Sequence, residues 1–385
     1  MQDACSRIVG RIIVPFLALT SIAFLVFSGA SADSVSGAES AMRSLAPFFQ
    51  PPTEVAGKLG VFRSPLLFND GSTVKNAAEW PRRREEILRE WNELMGPWPR
   101  IIERPKIESL SETNREEFIQ SRVRIEIGPG QTGEGWLLQP EGAGPFPAVL
   151  VVYYEPETSV GLNPKQPLRD YAVQLTRRGF VTFSIGTPGG NAWKPEIGTA
   201  LCQPLSFHAY VAANCWHALA NLPRVDRNRI GIVGHSYGGK WAMFAGALWD
   251  KFAAVAVSDP GIVFDETSSG VNYWEPWYLG RDATRTRRPG IPSVENPRTG
   301  AYAKMIERGR DLHELHALIA PRPFLVSGGA EDLPARWIAL NHLVAVNQML
   351  GFSNRVALTQ RKEHSPDEPS NELLYAFFEY FLRSR

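Results

Sequence analysis

Residues 229–240 read RIGIVGHSYGGK, a β-branched run that ends in Gly234-His235-Ser236-Tyr237-Gly238 and continues through Gly239 into helical patterning. No other segment restricts the fold as tightly. With no Cβ at 234 and 238, a strand and a helix can cross closely at a sharp turn. The residue between them is then held in strained backbone with its side chain exposed. A serine in that position presents its hydroxyl at the carboxyl end of a strand. The N–H of Tyr237 lies at the helix N-terminus, where a developing oxyanion is stabilised.

The surroundings supply what such a turn needs. Continuous apolar runs AVLVVYY (148–154), FVTFSIG (180–186), FAAVAVSD (252–259), PFLVSGG (323–329) and RVALTQ (355–360) alternate with stretches of helical spacing. That alternation predicts an α/β domain with a mostly parallel sheet covered by helices on both faces. SRVRIEI and GEGWLLQP suggest an antiparallel hairpin feeding it, giving about eight strands over 118–385, with a long insertion at about 260–310. Ligands of such a sheet sit at the carboxyl ends of the strands. Residues 33–117 read as an N-terminal leader, extended over 33–76, with one helix at PRRREEILREWNEL (81–94) that Gly96-Pro97 stops. Arg7 and Arg11 precede a long apolar stretch ending in Ala30-Ser31-Ala32, which reads as a signal peptide over 1–32. Export to a periplasmic or extracellular space is the expectation, with an uncleaved N-terminal membrane anchor as the alternative. Cys202 and Cys215 would either pair after export or remain buried thiols.

A serine hydroxyl needs a base to become a nucleophile. His364 lies just past the last strand, in RKEHSPDEP, where such a base belongs. His208, His217 and His342 fall inside helical patterns, and the three-apart pair His313 and His316 reads as structural rather than metal-ligating. For the acid, Asp332 after PFLVSGG is preferred, and Asp259 at the end of FAAVAVSD is its rival. The oxyanion would be held by the N–H of Tyr237 and by that of Tyr154 or Glu155, in the loop after AVLVVYY. These residues predict hydrolysis through an acyl-enzyme, with no metal or organic cofactor required. A formal net charge of +1 argues against nucleic acid as a partner.

The elbow GHSYGG, the phrase APRPFLVSGGAED and the late His364 resemble the α/β-hydrolase superfamily over about residues 118–385. The phrases RGFVTFSIGTPGG and VDRNRIGIVGHSYGGK are similar to exported serine esterases near the dienelactone hydrolases, acetyl xylan esterases and glucuronoyl esterases. That resemblance implies a small-molecule or polysaccharide ester as substrate. It also implies that Lys240, matching a lysine four positions after the serine of glucuronoyl esterases, contacts the sugar. Tyr237 stands where that family carries an arginine. In the insertion, Trp274, Trp277 and Tyr278 would either stack on sugar rings or simply pack, and Arg281, Arg285, Arg287 and Arg288 would meet carboxylates. Two other readings stand beside the esterase. One is a peptidase like the prolyl oligopeptidases, which share GxSxGG elbows but carry a propeller larger than the 33–117 leader. The other is a non-catalytic binder on the same fold.

Overall fold

The computed structural model describes residues 32–383. The segment read as a signal peptide lies outside the described residues except for Ala32. Among the described residues no helix is long and apolar enough to cross a membrane.

One nine-stranded sheet organises the chain, in the order β1-β2-β3-β5-β4-β6-β7-β8-β9. The strands are β1 (Ile107–Arg115), β2 (Phe118–Gly128), β3 (Gln131–Pro140), β4 (Phe146–Val152), β5 (Val181–Ile185), β6 (Val225–His235), β7 (Ala254–Ser258), β8 (Phe324–Gly328) and β9 (Val356–Gln360). The first three are antiparallel, β3 pairs antiparallel with β5, and every pairing from β5 through β4 to β9 is parallel. The sheet therefore begins at Ile107, ahead of the boundary expected at 118. The extra strand β1, IESLSETNR, is a polar edge with both faces largely exposed, so it carries no hydrophobic alternation to betray it.

Ten helices are described: α1 (Ala32–Leu45), α2 (Trp80–Met95), α3 (Pro156–Ser159), α4 (Tyr171–Arg177), α5 (Pro204–Ala220), α6 (Tyr237–Leu248), α7 (Gly300–Glu307), α8 (His313–Ile319), α9 (Trp337–Met349) and α10 (Glu368–Phe378). The strands sort side chains with period two. In β4, Ala148, Leu150 and Val152 enter one core with residues of α2, α5, α6 and α8. Val149 and Val151 enter the other, with residues of α1, α4 and α10.

The leader is less extended than expected. Its first segment forms α1 and a short 3-10 turn at Ala46–Phe49, because Leu45 and Phe49 find an apolar surface at the C-terminal end of the chain. Phe49 meets the Phe381 ring edge-on at 6.3 Å. Further on, side chains of α8 and α9 pin the leader's backbone. His313 Nε2 donates to Arg63 O at 2.7 Å, His342 Nε2 to Leu59 O at 2.9 Å, and Asn341 Nδ2 to Val55 O at 2.7 Å. In α2, Trp91 is fully buried and donates to Glu314 Oε2 at 3.0 Å, while Arg310 joins Glu314 to Glu90.

The insertion is built into the core rather than laid over it as a lid. Val271, Tyr273, Trp274 and Tyr278 are buried. Inside it, Arg287 pairs with Glu275 at 3.3 Å, with both side chains almost inaccessible. Cys202 and Cys215 are buried free thiols.

Candidate active site

The carboxyl ends of β4, β5, β6 and β9 converge on one cleft of about 410 Å³. Ser236, the residue between β6 and α6, sits at its base with φ 55° and ψ −114°. This left-handed conformation is costly for serine. The glycines on either side make it attainable. A Cβ on Gly238 would lie 2.0 Å from Val152 O, and one on Gly234 would lie 2.2 Å from the Gly238 carbonyl. Strand, neighbouring strand and helix thus touch backbone to backbone at this point.

Ser236 Oγ lies 2.9 Å from His364 Nε2. His364 Nδ1 lies 2.7 Å from Asp259 Oδ2. Since Asp259 also adopts a positive φ of 51°, its carboxylate turns back across the ends of the strands. Oδ1 accepts from Gly329 N at 2.7 Å and Asp332 N at 2.9 Å. Burial alone would raise the Asp259 pKa. The hydrogen bonds from His364 and from the N–H groups of Asp332 and Glu331 outweigh it and hold the carboxyl below its ordinary value.

The preferred acid, Asp332, is elsewhere. Its two oxygens accept from Gly261 N at 2.8 Å and Ile262 N at 2.6 Å, so it ties down the turn after Asp259 instead of reaching His364. Burial, then the charge of Asp259, pushes it up to about 7. The two aspartates cross: each fixes the backbone of the turn that carries the other. Asp259, not Asp332, is the carboxylate on His364.

His364 is anchored from behind by Arg361. This buried guanidinium donates to His364 O at 2.6 Å, Ser365 O at 2.9 Å, Ser327 O at 2.9 Å and Ser258 Oγ at 3.2 Å. The loop after β9 is thereby fastened to the ends of β7 and β8.

Two walls of the cleft matter for an oxyanion. Among the described residues the N–H groups of Tyr154, Glu155 and Tyr237 donate to no protein oxygen. The Tyr154 ring stacks on that of Tyr237 with centroids 4.8 Å apart. Below, the Tyr237 hydroxyl bonds His208 Nε2 at 2.7 Å. Burial drops His208 to about 3, so this imidazole is neutral.

Lys240, Trp274, Trp277 and Tyr278 do not line the cleft. Lys240 points into the insertion, where Nζ donates to the carbonyls of Pro260 and Gly270, at 2.5 and 3.1 Å, under the rings of Tyr273 and Tyr278. Trp274 bonds Glu275 and packs on Tyr302, and Trp277 packs on Tyr278. The insertion uses its aromatics and Arg287 to hold itself together.

The sequence reading missed Arg169, His235 and Trp193 as cleft residues. Trp193 had a usable signal: TPGGNAW follows β5, and loops after the carboxyl ends of parallel strands line such clefts. Arg169 arrives on an irregular loop ahead of α4, which no periodicity announces.

Comparison with known proteins agrees with this architecture. Residues 171–298 match the prolyl oligopeptidase family of peptidases. Two 4-O-methyl-glucuronoyl methylesterases are 23% identical to the chain. One, from Podospora anserina, aligns over 74% of the chain and 57% of its own length; the other, from Phanerochaete carnosa, over 83% and 80%. The chain thus spans little more than half of the Podospora protein. Among solved structures, a glucuronoyl esterase from Solibacter usitatus superposes with TM-score 0.63 at 18% identity, covering 83% of the chain and 98% of that protein. The chain therefore has the α/β-hydrolase fold.

Proposed function

We propose that the protein is a serine hydrolase of carbohydrate-linked carboxylic esters. The observation that carries this reading is the continuous relay from Ser236 Oγ to His364 to Asp259, 2.9 and 2.7 Å, opening on a solvent-reachable cleft. His364 Nε2 removes the proton from Ser236 as Oγ attacks the ester carbonyl. Asp259 keeps Nδ1 protonated and stabilises the imidazolium. The N–H groups of Tyr237 and of Tyr154 or Glu155 receive the oxyanion. His364 then protonates the departing alcohol. Water, deprotonated by the same imidazole, releases the acid from the acyl-enzyme.

The glucuronoyl esterases among its relatives favour an ester of a sugar acid as substrate. The match to the prolyl oligopeptidase family supports a second reading, an amide-cleaving enzyme with the same relay. Both are tested by turnover of the mature protein on methyl glucuronate, acetylated xylan, an aryl acetate and a prolyl anilide. Ester hydrolysis is expected, at least about 10²-fold faster than anilide cleavage, and Ser236→Ala is expected to lower it by about 10⁴-fold or more. Anilide turnover matching or exceeding that of every ester would favour the peptidase. Ester turnover untouched by Ser236→Ala would exclude the mechanism.

A further inference from the structure

We propose that Arg169 and Trp193 form a seat for the carboxylate of a sugar acid, so that the protein holds the acid half of its ester after hydrolysis. This rests on the esterase reading, since ester hydrolysis is what releases a carboxylate beside Ser236.

The guanidinium of Arg169 lines the cleft with Ser236 and His364. Its acceptors are all neutral: Gln166 Oε1 at 2.8 Å, Tyr153 Oη at 3.2 Å and Ser365 Oγ at 3.0 Å. Among the described residues no carboxylate comes within ion-pair distance of it. Glu155 shares the wall, but its carboxylate is turned to Thr158 Oγ1 and Asn163 Nδ2. A guanidinium offers five N–H donors, so donors remain for a ligand after these three contacts. The arm is also held in place, because Asn371 Nδ2 donates to the carbonyl of Leu168, the preceding residue, at 2.7 Å.

The contact to Ser365 sets Arg169 beside the catalytic loop, one residue beyond His364. A pre-positioned, uncompensated guanidinium in a half-enclosed cleft favours a planar anion. The second element is Trp193, a residue 65% exposed, whose ring centroid stands 5.9 Å from that of Tyr154 at the same cleft. An exposed indole face there suits the C–H face of a pyranose. Together they describe a ligand with an anionic edge and an apolar ring face. An acetate leaving Ser236 would satisfy only the first.

The test is equilibrium binding of D-glucuronate and D-glucose to full-length Ser236→Ala protein, alone and with Arg169→Gln or Arg169→Lys. Glucuronate is expected to bind at least about tenfold more tightly than glucose, a charge-assisted contact being worth roughly 10- to 100-fold. Arg169→Gln should reduce that preference to about twofold or less, and Arg169→Lys should keep part of it. Raising salt from about 50 to 500 mM should weaken glucuronate and leave glucose unchanged. Equal affinities, no binding of glucuronate, or a preference that survives Arg169→Gln would overturn the proposal. No turnover is needed for this measurement. An Arg169-dependent preference in a protein that hydrolyses no ester would remove the proposed function and leave only a sugar-acid binding seat, and ester hydrolysis without the preference would remove this inference alone.

Discussion

Asp259→Asn is expected to lower kcat on an ester by about 10³- to 10⁴-fold, the loss that follows when a triad imidazole is left in the wrong tautomer. With Asn at 259, the amide nitrogen would face either His364 Nδ1 or the N–H groups of Gly329 and Asp332, both of which require an acceptor. Asp332→Asn should behave differently. Its carboxylate serves Gly261 N and Ile262 N, so the variant should lose stability, by about 1–3 kcal/mol for an unmet buried donor, while kcat falls less than about tenfold. Kinetics and thermal unfolding of the two variants side by side separate the roles. If Asp332→Asn is the inactive one and Asp259→Asn stays near wild type, the relay is assigned to the wrong aspartate.

The second large effect belongs to the elbow. Gly238→Ala places a methyl group 2.0 Å from Val152 O, a contact between backbone and side chain that no rotamer relieves. Val152 ends the strand beside β6, and residue 238 lies in the first turn of α6. Relief requires the helix to withdraw from the sheet beneath the nucleophile. A cost of about 4 kcal/mol or more is expected, seen as insoluble expression or a sharply lowered unfolding temperature. Ser236→Ala, which adds no atoms, is the control and should unfold near the wild-type temperature. A Gly238→Ala protein with unchanged unfolding would mean that strand and helix do not cross this closely.

These two predictions also mark where the sequence was informative. The elbow was legible because its chemistry is local: strand, glycine spacing, serine and helix lie within twelve residues of RIGIVGHSYGGK. The parallel strands were legible because both faces are covered, which makes them continuously apolar. β1 was not, since an exposed edge strand needs no apolar residues. The acid was undecidable in one dimension. Asp259 and Asp332 both follow strands at the same sheet edge, and only the positive φ of Asp259 sends its carboxylate toward His364.

Lys240 looked like a sugar contact because it stands four residues after the serine, as a lysine does in glucuronoyl esterases, and the insertion aromatics because the insertion follows a strand on the ligand side. Their placement depends on the path of an irregular segment, which folds inward and buries Trp274 and Tyr278. Arg169 and Trp193, which line the cleft and were missed, come from irregular loops whose sequence carries no period.

The most direct test of the central claim is covalent. A fluorophosphonate should label the wild-type protein once, on the peptide containing Ser236, and His364→Ala should slow that labelling by several orders of magnitude because the base that activates the hydroxyl is gone. Stoichiometric, His364-dependent modification of Ser236 is the predicted result. Absence of the adduct on Ser236, or labelling at an equal rate without His364, would contradict a nucleophile activated by this relay.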